Sequence, residues 1–152
     1  EYAEVNNQNI ITLRDIFRRK SVPDLADFFS NNEVNHADKF RSLISLDGEQ
    51  GVLDQALVLF EEFPEIISAI TNLERLHESF KDSNLNLMFD LGEVKAYEYH
   101  NGLVFAAYHS SFSKALAQGG RYNSLSESFG SPRDATGFSF DLKFLIQQQL
   151  NS

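Results

Sequence analysis

Residues 97–125, YEYHNGLVFAAYHSSFSKALAQGGRYNSL, decide the fold of this chain more than any other stretch of its sequence. Asn101-Gly102 is the strongest short signal for a two-residue hairpin turn, and strand-like segments lie on both sides of it. Gly119-Gly120 predicts a further turn, because adjacent glycines interrupt regular structure. The stretch therefore predicts consecutive antiparallel strands that end in a Gly-Gly-Arg-Tyr corner.

The spacing of the apolar residues divides the chain into two portions. In the first portion apolar residues recur at helical spacing, and Ser21 is placed to cap a helix that has Pro23 in its first turn. Over residues 85–91 every second residue is apolar, which is the repeat of a strand. The sequence therefore predicts an α+β fold, with a helical portion over residues 1–82 and an antiparallel sheet portion, ending in a helix, over residues 83–152.

The charge of the chain argues against several classes of function. Its 152 residues include 13 Lys and Arg against 22 Asp and Glu, which gives a net charge of −9. We expect no nucleic-acid partner, because neutralising phosphates requires clustered basic side chains. We expect no membrane partner, because no apolar run approaches the length of a membrane span. The N-terminus lacks a signal peptide and an initial Met, so we expect a cytoplasmic chain that belongs to a longer protein.

No motif of a common catalytic or cofactor site occurs in the sequence. The Walker A, G-x-G-x-x-G, H-E-x-x-H and G-x-S-x-G patterns are all absent. The chain has no Cys, which excludes a thiolate zinc site, and no two of its four histidines have the i, i+4 spacing of a helix face. We therefore expect neither a metal ion nor a cofactor.

Two groups of polar residues are candidates for a binding site, and each has a plainer alternative. Strand alternation places Glu98 and His100 on one face, which lines either a pocket or the solvent side of the sheet. The pair Gly119-Gly120 either forms a simple turn or lets a ligand approach the backbone closely. In the second case Arg121 would bind a carboxylate or phosphate, and Tyr122 would supply a wall with a hydroxyl.

The order of these segments resembles the C-terminal half of a class II synthetase catalytic domain of the histidyl type. The segments KAYEYHNGLVFAAY, ALAQGGRY and ATGFSFDL are still more similar to the regulatory subunits of short-form ATP phosphoribosyltransferase. That family typically shows Y-H-x-G-L-V-F-A-A-Y, then A-L-A-x-G-G-R-Y-D, then A-T-G-F-S-x-D-L. The resemblance covers almost the whole chain and implies part of a class II aminoacyl-tRNA synthetase-like antiparallel sheet, preceded by the helical insertion of the family.

Two departures from the synthetase pattern imply a loss of catalysis. The Arg that opens the synthetase segment R-G-L-D-Y-Y corresponds to Lys95, which keeps the charge but lacks the planar fork of a guanidinium group. The Arg of the third class II motif, which holds ATP, corresponds to Phe144, whose ring cannot pair with a phosphate. The resemblance therefore implies a non-catalytic derivative. A histidyl-tRNA synthetase fragment and a purely structural interaction module are the alternatives.

The resemblance implies a regulatory subunit of ATP phosphoribosyltransferase, the enzyme of the first step of histidine biosynthesis. It implies that the intact protein joins the short catalytic subunit in a hetero-octamer, is required for its activity and transmits feedback inhibition by histidine. The synthetase-like pocket is a candidate site for histidine, with a subunit interface as the alternative. Its residues here are Lys95, Glu98, Tyr99, His100, Gly119, Gly120, Arg121 and Tyr122, and no catalytic residue or metal ligand is expected.

Overall fold

A computed structural model of the chain describes residues 7–94, 102–110, 112, 114–122, 135–142 and 146. The chain divides into two compact units, which are Glu1–Val94 and Lys95–Ser152. The boundary predicted between residues 82 and 83, where the spacing of apolar residues changes, stays a prediction. The division into compact units lies further along the chain, after Val94.

Helices form most of the described part of the first unit. Ser21 begins the second helix as predicted: its hydroxyl accepts a hydrogen bond from Asp24 N at 3.4 Å, and Pro23 lies in the first turn, where no backbone donor is needed. Pro64 likewise lies in the first turn of the last helix, as its first residue. The helices are α1 (Asn7–Arg18), α2 (Val22–Asn31), α3 (Ala37–Leu43), α4 (Gly51–Leu59) and α5 (Pro64–Phe80).

A two-stranded antiparallel ribbon completes the described part of this unit. Strand β1 (Asp47–Gly48) pairs with β2 (Phe89–Asp90), so that Asp47 lies opposite Asp90. The prediction of a strand over residues 85–91 is wrong for most of that segment, because only two of its residues pair. Its partner β1 is short because helix α4 begins three residues after β1 ends, and the ladder cannot extend along a helix.

Two clusters of buried side chains stabilise the first unit. Burial of an apolar side chain contributes about 1.5–3 kcal/mol before the loss of conformational entropy is counted. Ile44 belongs to one cluster and Leu46 to the other, so the segment between α3 and β1 joins the two clusters. The larger cluster comprises Leu46, Val52, Leu53, Ala56, Phe60, Phe63, Ile70 and Phe89. The smaller one comprises Leu13, Ile16, Phe17, Leu25, Phe28 and Ile44.

The second unit contains a three-stranded antiparallel sheet with the order β3-β4-β5. Its strands are β3 (Val104–Ala107), β4 (Ala117–Tyr122) and β5 (Ala135–Phe140). The prediction of a turn at Gly119-Gly120 is wrong, because both glycines lie inside β4, the middle strand. Asn101 and most of the predicted C-terminal helix lie outside the described residues, as does the segment from residue 95 to 100.

Candidate functional site

Four of the eight predicted site residues lie together at the end of β4, where they are Gly119, Gly120, Arg121 and Tyr122. The other four lie outside the part of the chain that the structure describes, and their place in a common pocket stays a prediction. They are Lys95, Glu98, Tyr99 and His100.

The strand splits the predicted corner between two faces of the sheet. Successive strand positions alternate between the faces, so Gly119 and Arg121 share one face, and Gly120 belongs to the other. The register supports this division, because Gly119 lies opposite Phe105 and Phe138 in the two flanking strands. The glycines and the arginine therefore do not line a single surface.

Gly119 is a glycine because neighbouring atoms fill the space that a side chain would need. An ideal Cβ at this position would stand 2.3 Å from the carbonyl oxygen of Gly137, 2.7 Å from Phe138 Cβ and 2.9 Å from Phe105 Cε1. Real Cβ atoms do not approach other atoms so closely. Cross-strand packing of aromatic rings over a glycine accounts for this residue without a ligand.

Gly102 plays a related part beside Arg121. A Cβ at Gly102 would lie 3.1 Å from Arg121 Cβ and 3.4 Å from Arg121 Cγ. The backbone N–H of Arg121 donates a hydrogen bond to the carbonyl oxygen of Leu103 at 2.8 Å, which fixes the strand at this point. The aliphatic stem of Arg121 thus packs beside Gly102, and the side chain as a whole stays exposed.

The opposite face of the sheet is formed mainly by small residues. Val104, Ala106, Ala135 and Gly137 are half-buried there, and Gly120 is buried. Gln118 and Ser139 are exposed on the same face and offer an amide and a hydroxyl. Among the residues whose side chains are described, this face carries no titratable group.

Shifted pKa values within the described residues belong to exposed ion pairs of the helical unit. A hydrogen bond from Arg19 lowers the pKa of Asp24 and also that of Asp15. Lys39, whose Nζ lies 2.8 Å from a Glu62 carboxylate oxygen, lowers the pKa of Glu62. These groups lie on the surface of the helical unit and link elements of the fold; they are not poised in a cleft for catalysis.

Neither of two clefts in the helical unit contains a predicted site residue. One cleft, of about 350 Å³, is lined by Gln50, His77 and Lys81 among others. Within the described ranges no three His, Cys, Asp or Glu side chains are grouped so that they could hold a metal ion. In the same ranges no helix is long and apolar enough to cross a membrane.

Comparison with known proteins identifies the relatives of this chain. The family model described as "Histidyl-tRNA synthetase" matches residues 1–145. The ATP phosphoribosyltransferase regulatory subunit of Chromohalobacter salexigens is 43% identical over 148 residues, which cover 94% of this chain and 38% of that protein. The protein of the same name from Pseudomonas fluorescens is 38% identical over 139 residues, which cover 88% of this chain and 35% of that protein.

A solved structure shows the same architecture. The crystal structure of an ATP phosphoribosyltransferase regulatory subunit/histidyl-tRNA synthetase from Bacillus halodurans C superposes with a TM-score of 0.79 at 25% sequence identity. The match covers 95% of this chain and 39% of that one. The chain thus spans little more than a third of the length of its relatives. These matches confirm the predicted α+β, class II synthetase-like fold and the resemblance to the regulatory subunits.

Proposed function

This chain belongs to the histidyl-tRNA synthetase family, and we propose that it is part of a regulatory subunit of ATP phosphoribosyltransferase. The observation that carries the proposal is the 43% identity to the Chromohalobacter salexigens regulatory subunit over 94% of this chain. Because that match covers only 38% of the relative, the activity and partners of the whole protein belong to the proposal. The proposed portions are a helical insertion over residues 1–82 and the sheet portion over residues 83–152.

The proposed role is regulatory and not catalytic. In the sequence, Phe144 stands where the synthetase pattern has the Arg that holds ATP, and Lys95 stands where it has another Arg. A phenyl ring offers no charge or hydrogen bond to a phosphate, so adenylate formation would lose its main stabilising group.

The proposed partner is the short catalytic subunit of ATP phosphoribosyltransferase, in a cytoplasmic hetero-octamer. The catalytic subunit would perform the first step of histidine biosynthesis, and the regulatory subunit would be required for that activity. Histidine would lower activity by binding more tightly to one of two states of the assembly, which is the energetic requirement for allosteric feedback.

The proposed histidine pocket lies on the small-residue face of the sheet. There Gly120 carries no side chain, and the exposed Gln118 and Ser139 would supply polar groups. Gly119 and Arg121 would support the pocket from the other face, through the packing over Gly119 and the backbone hydrogen bond of Arg121. The remaining residues of the proposed pocket are Lys95, Glu98, Tyr99, His100 and Tyr122.

Two assays on the full-length polypeptide that carries this sequence test the proposal against its alternative. Mixing it with a short-form catalytic subunit and measuring the native mass should show a mixed complex. ATP–pyrophosphate exchange with histidine should stay at the background rate. The family model favours a histidyl-tRNA synthetase as the second candidate function. Clear exchange activity without a mixed complex would establish that second function instead.

A further inference from the structure

A cleft in the helical unit is lined by side chains of both charges. We name it the α4–α5 cleft, because it lies where the first residues of α4, the last turn of α5 and residues 85–87 meet. Its volume of about 350 Å³ is within the range of sites that hold small molecules. It contains no residue of the proposed histidine pocket, so a ligand of this cleft is additional to the proposed function.

An apolar wall forms one part of the α4–α5 cleft. Phe80 and Leu85 line it and are 37% and 61% exposed, so a bound molecule would remove apolar surface from water. Leu87 also lines the cleft and packs against the larger buried cluster. The half-buried His77 lies beside them, with its ring centroid 6.0 Å from that of the buried Phe89. The core thus supports this wall, which suits an apolar group of a ligand.

Polar groups form the rest of the lining and are available to a ligand. Glu49, Gln50 and Asn86 supply a carboxylate and two amides, and no hydrogen bond or ion pair joins these three side chains to other described residues. Lys81 supplies an ammonium group, which also pairs with Glu78. Glu78 does not line the cleft, and an exposed pair of this kind is weak. The ammonium group can therefore donate to a ligand as well.

The opposite charges of Glu49 and Lys81 select the chemistry of the ligand. A simple anion would bind Lys81 but would be repelled by the carboxylate of Glu49, and a simple cation would meet the reverse. A molecule that carries both a carboxylate and an ammonium group satisfies both side chains. The two amides can supply further hydrogen bonds, and the apolar wall can cover an apolar side chain. A free amino acid combines these features.

We propose that the α4–α5 cleft binds a free amino acid with an apolar side chain. Its carboxylate pairs with Lys81, its ammonium group pairs with Glu49, and its side chain packs on Phe80 and Leu85. The site is built from the helical unit alone. The inference therefore stands or falls independently of the regulatory function and of the proposed histidine pocket in the sheet.

Calorimetric titration of the full-length polypeptide that carries this sequence tests the proposal. The probes are L-leucine and L-phenylalanine, together with two analogues of leucine that each lack one charge. The analogue 4-methylpentanoate lacks the ammonium group, and 3-methylbutylamine lacks the carboxylate. Leucine should bind at least about tenfold more tightly than either analogue, because each analogue leaves one charged side chain of the cleft unpaired.

Substitutions in the lining assign the binding to this cleft. Lys81→Met should weaken leucine binding about fivefold, the effect of one lost charged hydrogen bond at an exposed position. Glu49→Gln should weaken leucine binding but should strengthen the binding of 4-methylpentanoate, because the substitution removes a repulsive carboxylate. The opposite responses of the two probes distinguish an ion pair with Glu49 from a general loss of structure, which would weaken both.

Gly51→Leu tests the site by filling it. Gly51 lines the cleft, and a Cβ there would meet nothing within 4 Å, so a side chain can enter without displacing the fold. This substitution should weaken leucine binding at least about tenfold, whereas Gln55→Leu, exposed on the same helix and outside the lining, should leave it unchanged.

Three results would overturn the proposal. The first is that neither leucine nor phenylalanine binds the full-length polypeptide. The second is that 4-methylpentanoate or 3-methylbutylamine binds as tightly as leucine, which would show that the cleft does not select a zwitterion. The third is that Lys81→Met and Gly51→Leu both leave the affinity for leucine unchanged, which would place the bound amino acid elsewhere in the protein.

Discussion

The ring of Phe105 occupies the space that a side chain at Gly119 would need, with Phe105 Cε1 2.9 Å from the position of a Cβ there. The two residues lie opposite each other in β3 and β4. On the other side of β4, the carbonyl oxygen of Gly137 lies closer still, at 2.3 Å. The glycine is thus explained by contacts with two flanking strands and not by a turn.

Gly119→Ala should therefore destabilise the sheet by about 1–3 kcal/mol, since backbone atoms must move to admit the methyl group. The measurement is hydrogen exchange of the strand amides, including the N–H of Arg121. Gly51→Ala is the control, because a Cβ at Gly51 meets nothing within 4 Å and lies at the start of α4. The control should lose no stability, and equal effects of the two substitutions would refute the steric account.

The ion pair between Lys20 and Asp90 should contribute modestly to the stability of the first unit. Lys20 Nζ lies 2.5 Å from Asp90 Oδ1, although the residues are 70 positions apart, and about a third of each side chain is exposed. Lys20→Met should cost about 0.5–1 kcal/mol in the free energy of unfolding, less at high salt. Urea denaturation at two salt concentrations measures it.

Asp90→Ala should cost more than Lys20→Met, at about 1–2 kcal/mol, because Asp90 Oδ1 also accepts the backbone N–H of Gly92 at 3.1 Å. Both substitutions are compared by the same denaturation experiment. A larger effect of Lys20→Met than of Asp90→Ala would contradict this assignment of the hydrogen bonds.

The ion pair of Lys39 and Glu62 should make stability depend on pH in the acid range. Lys39 lowers the pKa of Glu62 below its ordinary value of 4.5 in the folded state. A carboxylate with a depressed folded pKa contributes stability above its unfolded pKa and loses it as the pH falls through the folded pKa. The stability difference between the native chain and Glu62→Gln should therefore be present at pH 7 and vanish in acid.

The partner substitution checks this assignment. Lys39→Met should reproduce the loss of pH dependence seen with Glu62→Gln, because hydrogen bonding by Lys39 is the largest cause of the pKa shift. Thermal unfolding followed by circular dichroism from pH 7 to pH 3 measures both variants. A native-like pH profile in Lys39→Met would show that another group holds the Glu62 carboxylate.

Histidine binding should depend on the proposed pocket. In the full-length complex with the catalytic subunit, Tyr99→Phe should weaken histidine binding about fivefold, the effect of one lost hydrogen bond of about 1 kcal/mol. Arg121→Ala should weaken it as well, because β4 then loses the packing of the aliphatic stem of Arg121 beside Gly102. Calorimetric titration measures both, with Arg41→Ala in α3 as an exposed control. Unchanged histidine affinity in both pocket variants would contradict the proposed pocket and favour the alternative site at a subunit interface.

The sequence predicts the local features of this fold better than the features that depend on distant residues. The N-terminus of α2 follows from Ser21 and Pro23, because capping requires only neighbouring groups. The family follows from the order of three segments that match the family pattern, because this order can be read from the sequence without knowledge of any contact. The prediction of a turn at Gly119-Gly120 is wrong because a glycine is required at position 119 by contacts with other strands, including the ring of Phe105, fourteen residues earlier in the chain.

The short length of β1 explains why the strand prediction over residues 85–91 is wrong. The alternation of faces along a strand limits the prediction of the site. The apolar residues over 85–91 alternate as in a strand. Only two residues of this segment pair, because the partner strand β1 is itself only two residues long. The corner residues were expected to line one pocket, whereas a strand places Gly119 and Gly120 on opposite faces. The interaction of His36 with the Phe63 ring, at 5.0 Å between centroids, has no sequence signal, since it joins the residues that precede two separate helices, α3 and α5.

The turnover of a short-form ATP phosphoribosyltransferase catalytic subunit tests the central claim most directly. It is measured alone and after addition of the full-length polypeptide that carries this sequence, with and without histidine. We expect addition to raise turnover at least about tenfold, the size of a coupling free energy of about 1.4 kcal/mol, and histidine to reverse the gain. Turnover that does not change on addition, in a mixture where both proteins are folded, would contradict the regulatory function.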